Sequence, residues 1–321
     1  MGAVDIKTKQ YVSRPEVFAD LFNHLMYDGE AILKPEDLSP LDTTEIALPY
    51  GAETETLPVQ KYRDVLKSAV VMQDDKAAYL LILGAENQTM VHYAMPVKNM
   101  VYDALNYASQ VTKTSRVHRQ NKDTGTKEEY LSGLHKGDHL TPVITLVVYF
   151  GQRVWDGPVS LHEMLSTQDE GILRFVPDYR INLITPVSMS DEEIDKFRTD
   201  FKELATFIKC GKDKNAMAEL VQNNEKFQHM DPLTAEVANA VTRSNLKLVP
   251  NAKGEVDMCV AITGIREDGK NEGRSEGLLE GKAMVLALMN KLLAAGRFED
   301  AQKASSDNEY CNKLLAEFGL A

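Results

Sequence analysis

The stretch KYRDVLKSAVVMQDDKAAYLLILGAENQ, residues 61–88, decides how the rest of the chain is read. Its two flanks, 61–72 and 78–88, are rich in Val, Leu, Ile and Tyr, the composition of strands. Between them Gln73, Asp74, Asp75, Lys76 and Ala77 make a polar turn with little room for a helix. The spacing therefore predicts a β-hairpin with antiparallel strands. Asp64 and Glu86 have their midpoint at residue 75. A hairpin that closes symmetrically about Asp75 sets these carboxylates opposite each other, with Cβ atoms about 4.5–5.5 Å apart. Two acids that close repel unless a cation lies between them or one takes up a proton. Oxygen donors with open positions favour Mg²⁺ or Mn²⁺ over zinc. Strand alternation puts Gln88 on the face of Glu86 and turns Asn87 the other way, and a slip of one residue undoes the arrangement. The same spacing also suits a solvated pair at the ends of two strands.

Working outward, Tyr93, Val97, Met100, Val101, Ala104, Leu105 and Ala108 recur at three and four, which predicts a helix over 95–111. Residues 113–127 are polar and basic and read as an exposed loop. PVITLVVYF, residues 142–150, is an almost continuous apolar run, as in a strand buried on both faces. Strand, helix and buried strand make a βαβ unit whose strands lie parallel. Upstream, Phe18, Leu21, Phe22 and Leu25 mark a helix over 14–26, with Ser13 as its cap and Pro15 in its first turn. Pro35, Pro40 and Pro49 break up an irregular acidic stretch, and a short strand is expected near Thr44. Residues 179–184 offer one more strand.

From Ser190 the texture is helical. Ser190 and Glu193 form a capping box, followed by an apolar stripe of Ile194, Phe197, Phe201, Leu204, Phe207 and Ile208. Further helices are expected at 214–227, 231–243 and 276–295. Gly269, Gly273, Gly277 and Gly281 fall four apart among glutamates. They read either as a helix face open to a second helix or as an acidic linker. The division expected is an α/β domain over 1–189, a helical region over 190–265 and a Glu/Gly-rich helical tail over 266–321.

The 321 residues carry 36 basic and 48 acidic side chains, a net charge of −12. That balance argues against coating nucleic acid by bulk charge and leaves room for a local basic groove. Cys210, Cys259 and Cys311 lie far apart, which excludes a disulfide scaffold and a cysteine-rich zinc site and fits a reducing cytosol. No apolar run approaches the roughly 20 residues of a bilayer span, and the first ten residues lack the apolar core of a secretory signal. The expectation is a cytoplasmic protein with no membrane partner. Phosphate-loop, nucleophile-elbow, zinc-protease and dinucleotide motifs are absent, and seven scattered histidines show no ligand spacing.

Asp64 followed by Glu86-Asn87-Gln88 resembles the D…E-x-K/Q signature of the PD-(D/E)XK nuclease superfamily. The wider pattern is similar to its Rpn/YhgA-like branch of recombination-promoting nucleases and transposases. It is carried by RDVLKS at 63–68, LGAENQT at 83–89, HYAMPVKNMVYDALNY at 92–107, PVITLVVYFGQRVWDGPVSLHEM at 142–164 and FVPDYRINLI at 175–184. The resemblance implies an α/β fold with a restriction-endonuclease-like αβββαβ core and a mixed sheet, followed by a mainly α-helical C-terminal region. It also implies a Mg²⁺-dependent DNA endonuclease, with Mn²⁺ as an alternative ion. On that reading Asp64, Glu86 and the main-chain carbonyl of Asn87 hold the metal and Gln88 holds the attacking water. Gln88 stands where many members carry lysine, and it cannot place a positive charge near the phosphate. Asp20, on the first helix, is a candidate to contribute through a water. Lys98 and Tyr102 match the R-M-L-x-Y position of the family, with lysine in place of arginine. Lysine keeps the charge but loses the bidentate phosphate fork, and Lys98 is expected beside the site at the start of the helix. Lys98 and Tyr102, together with Arg116, Arg119 and Lys122, are the expected DNA contacts. Tyr149 and Trp155 are expected in the core and its rim. Two rival readings are a DNA-binding accessory factor that has lost useful catalysis, and an interaction module that self-associates through its C-terminal helices.

Overall fold

The computed structural model describes residues 2–42, 44–47, 59–62, 64–73, 77–123 and 125–320. Asp74, Asp75 and Lys76 of the expected turn, and Pro49, lie outside the described residues. Two helices, α1 (Ala3–Val12) and α2 (Pro15–Tyr27), precede a short strand β1 (Leu38–Pro40) and a two-stranded ribbon of β2 (Thr44–Ala47) and β3 (Val59–Tyr62). The hairpin follows as β4 (Val65–Gln73) and β5 (Ala77–Gln88). Next come α3 (Met95–Gln120), α4 (Lys127–Ser132), β6 (Val143–Tyr149), α5 (Glu170–Leu173) and β7 (Asn182–Ile184). The chain then runs through α6 (Asp191–Asp195), α7 (Phe201–Cys210), α8 (Lys214–Asn223), α9 (Pro232–Thr242), α10 (Met258–Ala294), α11 (Phe298–Ala304) and α12 (Asn308–Glu317).

The main sheet has the order β1-β4-β5-β6-β7. Its first two pairings are antiparallel and its last two parallel, so the sheet is mixed. Along the chain, α2, β1, β4, β5, α3 and β6 give the order αβββαβ. The hairpin register runs from Val65↔Ala85 to Gln73↔Ala77 and is symmetric about residue 75, as its polar centre predicts.

Several boundaries differ from expectation for local reasons. The strand expected over 61–72 is two strands: Lys61 and Tyr62 belong to β3, and the chain bends at Asp64 before β4. The strand near Thr44 exists but pairs with β3, while Leu38–Pro40 opens the main sheet. Pro40 is tolerated because β1 is an edge strand. Ser13 does not cap α2. It closes the unforeseen α1, its hydroxyl donating to the Lys9 carbonyl at 2.6 Å, and Arg14 stands at the N-cap of α2.

The loop expected over 113–127 is helical as far as Gln120. After Pro96 no glycine or proline occurs until Gly125, so nothing in the backbone stops the helix. His118 and Arg119 in the last turn complement its carbonyl end.

The two sides of β6 define two layers. Thr145 and Val147 face α3: the Thr145 hydroxyl donates to Asp103 at 2.6 Å, and Val147 packs with Met95. Phe150, just past β6, faces α7, its ring 6.4 Å from that of Phe201. Leu146, Val147, Val148, Tyr149 and Phe150 are all buried, as expected of a strand covered on both faces. Trp155 and Tyr149 meet edge to face at 5.2 Å, at the rim of this core.

The sheet and the helices up to Cys259 form one compact unit, and Val260–Ala321 forms a second. The second is helical, built from the rest of α10 with α11 and α12 around Leu288, Leu292, Cys311 and Leu314. In α10, nothing among the described residues lies within 4 Å of a Cβ built on Gly277 or Gly281, so these glycines meet no second helix there. Leu292 is fully buried. Leu292→Ala is expected to destabilise this unit by about 2–5 kcal/mol, read by urea denaturation of the full chain. No helix among the described residues is long and apolar enough to cross a membrane.

Candidate active site

Where β4 stops, β5 continues for three more residues, and this overhang collects the acidic groups. The ladder ends at Val65↔Ala85, so the next step of the same register sets Asp64 across from Glu86. Asn87 then lies beyond Val65, the first residue of β4. Its N–H goes to the side chain of Asp64 instead of a strand carbonyl, with Asp64 Oδ2 at 2.9 Å. In an antiparallel ladder a residue's N–H and C=O project toward the same neighbour. The Asn87 carbonyl therefore faces the edge at which Asp64 lies.

Glu86 is only 1% exposed and lies on the α3 side of the sheet, where its register partner on β6 is Val147. A carboxylate taken so far out of water requires a charged partner or a proton. Lys98 supplies the charge: from the first turn of α3 its Nζ lies 2.8 Å from Glu86 Oε2. The ring of Tyr102, one turn on, lies 5.8 Å from the same ammonium. Tyr102 is 6% exposed, so its ring backs Lys98 from within the fold and offers no open face for a nucleotide base. Gln88 shares the face of Glu86, and its carbonyl accepts the Phe150 N–H at 2.8 Å, which ties the strand end to β6.

Arg116, Arg119 and Lys122 are exposed at the far end of α3. Eighteen residues separate Lys98 from Arg116, about 27 Å along a helix. They belong to a second region of the surface, away from the acids. Arg119 stacks over Tyr130 at 5.9 Å.

Asp20 is engaged with other partners. It is 4% exposed and grips the chain between α6 and α7. Its carboxylate accepts the N–H groups of Arg198 (3.0 Å) and Thr199 (2.8 Å) and the Thr199 hydroxyl (2.6 Å). This contact also explains why the stripe that begins at Ser190 is not one helix. The Ser190–Glu193 capping box opens α6 as expected, but the amides of Arg198 and Thr199 are spent on Asp20, and helix resumes at Phe201.

Two buried features escaped the sequence. One is the Glu86–Lys98 pair, whose partners lie 12 residues apart with no periodicity to link them. The other is Asp103, which accepts both the Thr145 hydroxyl and the Tyr179 hydroxyl at 2.6 Å and so joins α3 to the sheet and to the segment before β7. The apolar stripe carries no signal for Asp103, because the side of α3 that is buried holds Met95, Asn99, Tyr102, Asp103 and Asn106, while Tyr93 and Ala104 of the stripe are exposed.

The family described as "Putative transposase, YhgA-like" matches residues 41–237, more than half of the chain, and the chain belongs to that family. Membership points to a function in transposition or recombination. No curated protein and no solved structure matches the chain.

Proposed function

We propose that this chain is a metal-dependent DNA endonuclease of the PD-(D/E)XK type that acts in recombination or transposition. The observation that carries the reading is the meeting of Asp64, Glu86 and Asn87 at one hairpin end, with Lys98 beside them. The donor set consists of two carboxylates and a peptide carbonyl, all hard oxygens, which suits Mg²⁺ or Mn²⁺. The ammonium of Lys98, 2.8 Å from Glu86, is further support, because a positive charge is accommodated at that spot. A divalent cation held by Asp64, Glu86 and the Asn87 carbonyl would neutralise phosphate charge and activate a water.

The chain's own groups divide the remaining work. Gln88, on the face of Glu86, orients the attacking water by hydrogen bonding. Lys98 supplies the charge that Gln88 lacks and stabilises the negative charge that grows on the phosphoryl oxygens. Tyr102 holds Lys98 in place. Arg116, Arg119 and Lys122, about 27 Å along α3 from the acids, hold the duplex by its phosphates.

The test is nicking of supercoiled plasmid by purified protein with Mg²⁺, Mn²⁺ or EDTA. Cleavage with either ion and none with EDTA is expected. DNA retention that weakens with salt, without cleavage under any condition, would favour the accessory-factor reading. Lys98→Met is expected to slow cleavage about 100-fold while leaving DNA retention within about threefold, since one lost electrostatic donor is worth about that much in rate. A Lys98→Met enzyme that cleaves normally but binds DNA poorly would return Lys98 to a pure phosphate contact.

A further inference from the structure

At the far end of α3, His118, His135 and Asp138 offer ligand atoms that all lie within 4.8 Å of one another. None of the three has a place in the proposed cleavage site, from which His118 is about 30 Å distant along the helix. His118 belongs to the last turn of α3, His135 follows the glycine that ends α4, and Asp138 lies in the loop toward β6. His118 Nε2 and Asp138 Oδ2 are 2.8 Å apart. A second carboxylate, Asp123, reaches both rings, with Oδ2 at 3.9 Å from His118 Nδ1 and 3.7 Å from His135 Nδ1. Neighbouring donors around a tetrahedral zinc ion are about 3.4 Å apart, given bonds of about 2.0–2.2 Å. His118, His135 and Asp138 are thus close to the required spacing, while Asp123 faces the other ring nitrogen of His118.

The cluster rests on a braced scaffold. The His135 N–H donates to Asp138 Oδ2 at 2.7 Å. Thr126 and Glu129 cap α4 reciprocally, and the other Glu129 oxygen accepts the Lys136 N–H at 2.9 Å. Gly133, at φ +78°, passes so near α3 that a Cβ there would lie 2.7 Å from the Ser115 hydroxyl. The His135 N–H, and after it the His118 ring, hold the Asp138 carboxyl below its usual range.

We propose that His118, His135 and Asp138 form a zinc site, its fourth position open to water, that staples the end of α3 to the segment after α4. Asp123 lies close to the ring nitrogen of His118 that faces away from Asp138. As the ion enters between His118 and Asp138, the ring proton of His118 moves to Nδ1, which leaves Nε2 free to bind the metal. The two rings, now stacked at 3.7 Å with planes 22° apart, open so that one nitrogen of each meets the metal. The staple fixes the helix turn that carries Arg116 and Arg119. This site is independent of the nuclease reading and stands or falls apart from it.

The test uses the full chain, stripped by chelator and titrated with Zn²⁺ by calorimetry, with Co²⁺ as a spectroscopic probe. The titration is run in the Asp64→Asn background, where the hairpin end no longer competes for the ion. One Zn²⁺ per chain is expected there, with visible d–d absorption of tetrahedral cobalt and affinity that falls as pH drops. Added to that background, His135→Ala and Asp138→Asn should each lose at least tenfold in affinity with unchanged far-UV circular dichroism. Absence of zinc binding, or equal binding with and without these two substitutions, would overturn the proposal.

Discussion

Glu86→Gln is expected to slow metal-dependent DNA cleavage at least about 1,000-fold, and Asp64→Asn to do the same. A divalent ion in such a site contributes several kcal/mol to the transition state, and about 1.4 kcal/mol corresponds to a factor of ten. Loss of one of two charged ligands therefore reaches three orders of magnitude. Both substitutions preserve shape. Asparagine at 64 keeps an oxygen to accept the Asn87 N–H, now received at 2.9 Å. Glutamine at 86 fits a site that is 1% exposed, and the Lys98 side chain, 28% exposed, can return its ammonium to water. The cost in stability is about 1–2 kcal/mol, well below the cost in rate. Thermal melts of both variants within a few degrees of wild type, with nicking abolished, are the expected pair of results. Wild-type nicking by either variant would remove that residue from the site.

Asp20→Ala is expected to produce the largest loss of stability, about 3–5 kcal/mol. It strands two backbone donors and a hydroxyl that now converge on one buried carboxylate. Each buried donor left without a partner costs about 1–3 kcal/mol. For a unit of this size the melting temperature should fall by about 10 °C. Asp20→Asn retains one acceptor oxygen and should lose about half as much. An Asp20 that acted through water at a metal would behave the opposite way, with cleavage lost and the melt nearly unchanged. Calorimetric melts and nicking measured on both variants separate the two roles.

The hairpin was legible because its signals are local. Two apolar runs flank a polar centre, and the midpoint of Asp64 and Glu86 falls inside it, so composition alone fixed a register that the pairing from Val65↔Ala85 to Gln73↔Ala77 repeats. The buried strand 142–150 was legible for the same reason. What could not be read depends on distant partners. Residues 113–120 look like loop because they are polar, yet an exposed helix needs only adequate propensity and no breaker. The break between Asp195 and Phe201 is imposed by Asp20, some 178 residues earlier in the chain. Lys98 carries the right charge in the sequence, but its partner Glu86 appears only when α3 folds back over β5. His118, His135 and Asp138 have no ligand spacing along the chain and are gathered by the turn after α4.

Iron-mediated affinity cleavage decides whether Asp64 and Glu86 grip one divalent ion. Fe²⁺ bound in place of Mg²⁺, with ascorbate and peroxide, cuts the polypeptide next to the metal. Cuts near residues 64 and 86–88 are expected, suppressed by excess Mg²⁺ and missing in Asp64→Asn and Glu86→Gln. Cuts confined to other parts of the chain, or cuts at 64 and 86–88 that persist in both variants, would contradict that grip.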